Sequence, residues 1–336
     1  MLKIDVHTHI LPREMPRWAE KFGYGGFVSL EHQPDGCACM VRDDGTRFRA
    51  VEANCWDPVR RIEECDRTGV NVQVLSTVPV MFSYWTKPQD GAEIARFLND
   101  NIAAAVNEFP LRFVGVGTVP LQDTKLAIRE LEYCKLIGLT GVEIGTNVNQ
   151  LNLSEPRFFE FFAACERLGM AIFVHPWDMM GERDMEKYWL PWLVGMPAEV
   201  SRAICSLIFG GVLERLPALR ILFAHGGGSF PATLGRIEHG FEVRPDLCAV
   251  DNPHGPRRYL SRMYFDSLVH DASKLNFLLD LVGADQIALG SDYPFPLGEA
   301  EAGSLIDSCS FSDEVRAMLM HGAALNWLDL DKSRFI

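Results

Sequence analysis

Apolar and polar positions along this chain fall into two alternating textures, short β-type runs and longer segments with helical spacing. The runs are IDVHTHI (4–10), VNVQVLST (70–77), RFVGVGTV (112–119), GVEIGT (141–146), MAIFVHP (170–176), RILFAHGG (220–227), RMYFDSL (262–268) and QIALGSDYP (286–294). Eight near-continuous apolar runs are the pattern of parallel strands covered on both faces. Between them, residues 57–68, 90–108, 124–137, 155–168, 197–215 and 271–282 carry helical periodicity and are long enough for right-handed crossovers. Gly69, Gly138, Gly169 and Gly283 stand just before the next run, where a left-handed helix stop is expected. The pattern predicts an α/β fold, a (β/α)8 TIM-type barrel.

No linker, composition break or internal repeat interrupts the alternation, so residues 1–336 are read as a single barrel domain. An open doubly wound sheet is disfavoured, because no G-x-G-x-x-G or phosphate loop follows any run and polar residues gather at the ends of many strands. Residues 11–56 form an insertion after the first strand, expected to hang over the C-terminal mouth. Within it, Asp44-Gly45 between alternating runs reads as a β-hairpin turn, with Arg47 and Arg49 on one face of that hairpin.

With 48% hydrophobic and 23% charged residues, the chain has material for a large core. Its net charge of −13 argues against nucleic acid or an anionic membrane as partner, so an anionic substrate must meet a few local arginines. The N-terminus lacks a secretory pattern and no apolar run is expected to reach transmembrane length, which predicts a cytoplasmic protein. The nine cysteines are scattered, and Cys134, Cys165 and Cys205 sit in apolar stretches as expected of buried, reduced thiols.

Candidate chemistry lies at the ends of the runs. His7 and His9 are two apart on a strand, so both imidazoles face one side, as chelation of a single ion requires. His175 ends the fifth run and Asp292 the eighth, giving four N/O ligands from three strands. Ligation by histidine and carboxylate without thiolate is the pattern of catalytic zinc, with a water whose pKa the metal lowers toward neutrality. Manganese or cobalt suits the same set. His225 ends the sixth run and is read as general acid/base rather than a fifth ligand. The fourth run offers no lysine to bridge two ions, so one metal is expected; its Glu143 is read as a half-buried carboxylate, paired or ligating, and left out of the site. His32, His239, His254, His270 and His321 are read as surface, cap or core residues. Phe82-Ser83-Tyr84-Trp85 and Tyr188-Trp189-Leu190-Pro191-Trp192 follow strands and are candidates for pocket walls or outer packing.

The H-x-H pair with His175, His225 and Asp292 resembles the amidohydrolase superfamily. FGYGG (22–26), NCWDP (54–58), LSTVPVMFSYW (75–85), HPWDM (175–179), YWLPWLVGMPAE (188–199), AHGGGSFP (224–231) and GSDYPFPLGE (290–299) look like its 2-amino-3-carboxymuconate-6-semialdehyde decarboxylase family, from about residue 2 to 330. The resemblance implies a zinc-dependent, non-oxidative decarboxylation yielding 2-aminomuconate 6-semialdehyde and CO2, assisted by metal-bound water or hydroxide with His225, in tryptophan (kynurenine) or, in some bacteria, nitroaromatic or aminophenol-type catabolism. It also implies substrate-binding roles for Arg49 and for Arg236, the latter supplied across a homodimer interface, with Trp189 and Phe295 as weaker candidates for pocket walls. The same metal and base residues would serve a resorcylate-type aromatic acid decarboxylase or a metal-dependent hydrolase, and a non-catalytic metal sensor would keep the ligands without needing His225.

Overall fold

Every residue of β1 (Ile4–Ile10) is buried, as is every residue of β5 (Val72–Thr77), β6 (Phe113–Thr118) and β7 (Gly141–Gly145). A strand buried on both faces needs a helix layer outside it and packed side chains inside, and a computed structural model of the chain, describing residues 1–335, has both. A two-residue hairpin, β8 (Asn147–Val148) and β9 (Leu151–Asn152), follows β7; then come β10 (Ala171–His175), β11 (Ile221–Phe223), β12 (Met263–Asp266) and β13 (Ile287–Ala288). The eight long-range strands pair in the order β1-β5-β6-β7-β10-β11-β12-β13, each register parallel. The remaining gap is bridged by backbone: the Val6 N–H donates to Leu289 O and the His9 N–H to Tyr293 O, both at 2.8 Å. The architecture is a (β/α)8 barrel.

Inside the barrel, Ile4, Val6, Val72, Val74, Val114, Val116, Ala171 and Phe173 form one apolar cluster with Trp327 and its helix Ala323–Leu328. Most of these side chains come from the first halves of their strands, so the C-terminal helix seals the N-terminal end. Trp327 is fully buried, and its indole N–H donates to Ile172 O at 3.2 Å. The alternation in β1 is not simple. Its register slips by one residue between Asp5 and Thr8, so that Ile4 and Val6 point inward, Asp5 and Thr8 outward, and yet His7 and His9 point inward as well.

Outside, the helix Pro58–Thr68 starts on Asp57, whose carboxylate accepts the Val59 and Arg60 N–H groups, and ends on left-handed Gly69. Gly169 ends Phe159–Leu168 the same way. Gly283 does not; its φ of 85° comes with ψ of 160°, an extended exit rather than the expected left-handed stop. The expected helix 197–215 is broken at Gly210-Gly211 into Met196–Phe209 and Val212–Arg215. One correction concerns apolar length: Pro191–Phe209 is 19 residues with a mean hydropathy of 1.3, enough to cross a membrane by length and composition. It carries Glu199 and Arg202 and packs Val200, Ala203, Ile204 and Leu207 into the main core, as a barrel-covering helix does.

The insertion forms a three-stranded antiparallel sheet, β2 (Val28–His32), β3 (Ala38–Arg42) and β4 (Arg47–Val51). Phe27, Met40, Val51 and Trp56 pack with Val78, Met81, Ile94 and Leu98, which anchors the sheet beside the end of β5. A register shift pairs Met40 with Arg49 but Val41 with Arg47. Met40 and Val41 are successive residues on opposite faces, so Arg47 and Arg49 do not share a face as simple alternation had them.

If Trp327 plugs the barrel floor, Trp327→Ala should cost about 3–5 kcal/mol. Urea unfolding measures this, and a loss under about 1 kcal/mol would show that the floor does not depend on the indole.

Candidate metal centre

His7 and His9 lie on β1 and His175 is the last residue of β10, each placed by its strand. Asp292 and His225 are not strand residues, contrary to the expectation from their runs. β13 stops at Ala288 and β11 at Phe223, and both residues sit beyond in left-handed backbone, with φ of 59° for Asp292 and 56° for His225. Such a conformation costs a non-glycine residue about 1–3 kcal/mol and persists where surrounding contacts hold it.

One ligand atom each from His7, His9, His175 and Asp292 lie within 4.8 Å of one another, all four residues buried. The Nε2 atoms of the three histidines are buried without a hydrogen-bond partner. Asp292 Oδ1 is 3.5 Å from His7 Nε2 and 3.2 Å from His9 Nε2. Buried nitrogen lone pairs with no donor are costly unless something electropositive sits among them, and a divalent cation satisfies this donor set. The residues present therefore fit a metal ion.

What aims the lone pairs is the other nitrogen of each ring. His9 Nδ1 meets Thr77 O at 2.9 Å and His175 Nδ1 meets Pro176 O at 3.0 Å; a carbonyl only accepts, so both rings donate from Nδ1. His7 Nδ1 meets Asp266 Oδ2 at 2.6 Å. Burial, reinforced by the neighbouring imidazoles, holds His175 well below the usual histidine range, and burial lowers His9 as well. For His7 burial pulls down, but the bond to Asp266 and the charges of Asp292, Asp266 and Asp5 outweigh it and raise the group. Burial works to raise Asp292, yet the imidazoles of His9, His7 and His225 overcome it and hold the carboxyl at about 2. Asp292 is thus an anion at neutral pH.

His225 opens a short turn, with Nε2 4.0 Å from Asp292 Oδ2 and its ring 5.2 Å from those of His7 and His175. Burial first, then His7, push its pKa down to about 4, so the ring is neutral at pH 7. Glu143 departs from the expectation of a half-buried carboxylate, paired or ligating. It is fully buried on β7, neither oxygen has a hydrogen-bond partner, and Oε1 lies 3.7 Å from His9 Nδ1. Burial drives its carboxyl well above the ordinary range. Asp266 at the end of β12 was not singled out from the sequence; the available signal was an acidic residue closing an apolar run.

Above the cluster, a pocket is walled by His9, His175, Arg49, Trp189, Trp192 and Phe295. Arg49 is half-buried, lying over the Phe295 ring at 4.6 Å and facing Trp192 at 5.8 Å. Phe295 in turn leans on His9 at 5.7 Å. Trp189 remains 40% exposed and, like Tyr188, has left-handed backbone. Phe82 and Tyr84 belong to the main core rather than to this pocket, and Trp85 packs on Phe27. A larger cavity of about 300 Å³ opens beside it against His225 and Asp292, with His270 and Lys274 among its lining. Arg47 and Arg236 are exposed and line neither space, Arg236 standing on the helix Phe230–Val243. Cys134 and Cys165 are buried as expected, whereas Cys205 is only half-buried.

Comparison with known proteins places this geometry. The amidohydrolase family model matches residues 4–330. A 2-amino-3-carboxymuconate-6-semialdehyde decarboxylase of Dictyostelium discoideum is 55% identical over 339 residues, spanning 100% of this chain and 94% of that protein. One from Caenorhabditis elegans is 42% identical over 382 residues, covering 98% and 95%. Among solved structures, the 5-carboxyvanillate decarboxylase of Novosphingobium aromaticivorans, complexed with manganese and 4-hydroxy-3-methoxy-5-nitrobenzoic acid, superposes with a TM-score of 0.82 over 98% of this chain and 96% of that one. At 21% identity this is a likeness of fold. The match of the family model over residues 4–330 and these identities show that the chain belongs to the amidohydrolase family, in its branch of 2-amino-3-carboxymuconate-6-semialdehyde decarboxylases.

Proposed function

We propose that this enzyme removes CO2 from 2-amino-3-carboxymuconate 6-semialdehyde, giving 2-aminomuconate 6-semialdehyde. The observation that carries the reading is the donor set of three unpartnered Nε2 atoms and Asp292 beneath an arginine-bearing aromatic pocket, in a chain 55% identical to a protein named for that activity. His7, His9, His175 and Asp292 hold one divalent ion, and zinc fits their N/O chemistry. When bound, such an ion supplies Lewis acidity and lowers the pKa of a water ligand toward neutrality.

The protein's own groups do the rest. The substrate is a conjugated dicarboxylate, and Arg49, half-buried and held against Phe295 and Trp192, receives one carboxylate by charge-assisted hydrogen bonds. Trp189 and Phe295 flank the flat chain. Cleavage of the bond to the departing carboxylate leaves its electron pair on carbon, which must take a proton. His225 is neutral at pH 7, so its Nε2 takes a proton from a water molecule and delivers it to that carbon as CO2 leaves, the hydroxide left behind balancing the charge of the lost carboxylate. Arg236, exposed on its helix, is assigned to the second carboxylate of a substrate bound in the other protomer of a homodimer. We take residues 1–336 as one barrel domain with 11–56 inserted over the mouth, and place the protein in the cytoplasm, whose reducing conditions suit nine free thiols.

Freshly generated 2-amino-3-carboxymuconate 6-semialdehyde should lose absorbance rapidly with CO2 release, stop doing so after chelation, and resume on zinc add-back. No acceleration over spontaneous cyclisation by protein shown to contain metal would move the function to another substrate. Arg49→Ala should lower kcat/KM by about 10- to 100-fold, as the loss of a hydrogen bond to a charged group does, with metal content intact. Arg47→Ala should be nearly silent, and equal effects from the two would refute the assignment of Arg49. His225→Asn should lower kcat by about 10²- to 10⁴-fold without loss of metal; unchanged kcat would remove His225 from proton transfer.

A further inference from the structure

Asp266 is a fully buried carboxylate that no proposed step uses, and four N–H groups meet it. Oδ2 accepts from His7 Nδ1 at 2.6 Å and from the His225 N–H at 2.8 Å; Oδ1 accepts from the Gly226 N–H at 2.7 Å and the Leu268 N–H at 3.2 Å. We propose that Asp266 is a positioning residue that fixes the ring of His7 and the backbone of His225 through a single carboxylate, making metal ligand and proton carrier one mechanical unit. This rests on the reading of His7 as a ligand.

Two observations support the assignment from different sides. The first is the tautomer. With Nδ1–H donated to Asp266, the Nε2 lone pair of His7 is left free to face those of His9 and His175. His9 and His175 meet backbone carbonyls, which cannot be exchanged by mutation, with Ser76 Oγ also 3.2 Å from His9 Nδ1; at His7 a carboxylate side chain takes the place of the carbonyl. The second is the turn. His225, Gly226, Gly227 and Gly228 all have positive φ, at 56°, 59°, 80° and 62°, so successive N–H groups of the first two converge on one anion. Packing fences the turn from outside: a Cβ on Gly226 would meet Val269 Cγ1 at 2.4 Å and one on Gly228 would meet Pro197 O at 2.3 Å.

Only a carboxylate fits this position. Each oxygen accepts two N–H groups, so an asparagine must aim its NH2 either at Gly226 and Leu268, releasing the turn, or at His7 and His225. In the second arrangement His7 must accept at Nδ1 and carry its proton on Nε2, where it opposes ligation.

The test is Asp266→Asn, read by zinc affinity in chelator competition and by ¹⁵N resonances of ring-labelled histidine in metal-free protein at alkaline pH, where imidazole is neutral. Wild-type His7 should carry its proton on Nδ1. In the variant the His7 signal should change and zinc affinity should fall by about 10- to 100-fold. A proton on Nε2 of wild-type His7, or a variant with wild-type zinc affinity and an unmoved His7 signal, overturns the proposal. If Asp266→Asn does not fold, the wild-type tautomer decides alone. Wild-type protein that binds no zinc would instead refute the ligand reading of His7, while the tautomer measurement would still report on Asp266.

Discussion

Three buried imidazole lone pairs aimed at one point are the constraint on which the upper half of this barrel depends. Like dipoles pointed at each other repel, and each ring would turn away if its far nitrogen were free. Thr77 O, Pro176 O and Asp266 prevent that by taking the Nδ1 protons, so the cost of convergence is spread over three strands and their hydrogen bonds. Asp292 enters as the single carboxylate among them, its Oδ1 3.5 Å from His7 Nε2 and 3.2 Å from His9 Nε2. The donor set is thus arranged from outside inward, and the four candidate ligands are only its innermost layer.

The same logic explains the division between strand and loop. The candidate ligands on β1 and β10 sit on backbone held in the parallel ladder, His9 opposite Ser76 and His175 opposite Gly145. Asp292 and His225 lie past the strand ends in left-handed conformations, and their side chains meet at the same cluster, His225 Nε2 4.0 Å from Asp292 Oδ2. Further out, an inserted sheet carries Arg49, braced by the rings of Phe295 and Trp192 from two other segments.

Much of this was legible in the sequence. Eight apolar runs mark the strands because parallel strands are apolar on both faces, and H-x-H with His175 and Asp292 mark four residues whose donor atoms the fold brings within 4.8 Å of one another. What periodicity does not encode was lost. It gave no warning that β11 and β13 stop short of His225 and Asp292, because an apolar run continues past the last ladder hydrogen bond. It placed Arg47 and Arg49 together, since a register shift is invisible to strict alternation. Glu143 and Asp266 are single acids inside apolar strands, and their surroundings come from other strands far away in the chain. Pro191–Phe209 was misjudged in length because Glu199 and Arg202 interrupt the run without ending the helix.

The one-residue slip in β1 has a consequence for traffic. It puts Val6 and His7 on the same side of the sheet, so the hydrocarbon plug begins directly beneath the ligands, with Phe173 packed 4.9 Å under the His7 ring and Trp327 below that. The barrel is therefore closed beneath the cluster by packed hydrocarbon. The cluster is approached from the rim, where one pocket is walled by Arg49, Trp189 and Trp192 and a larger cavity opens against His225 and Asp292.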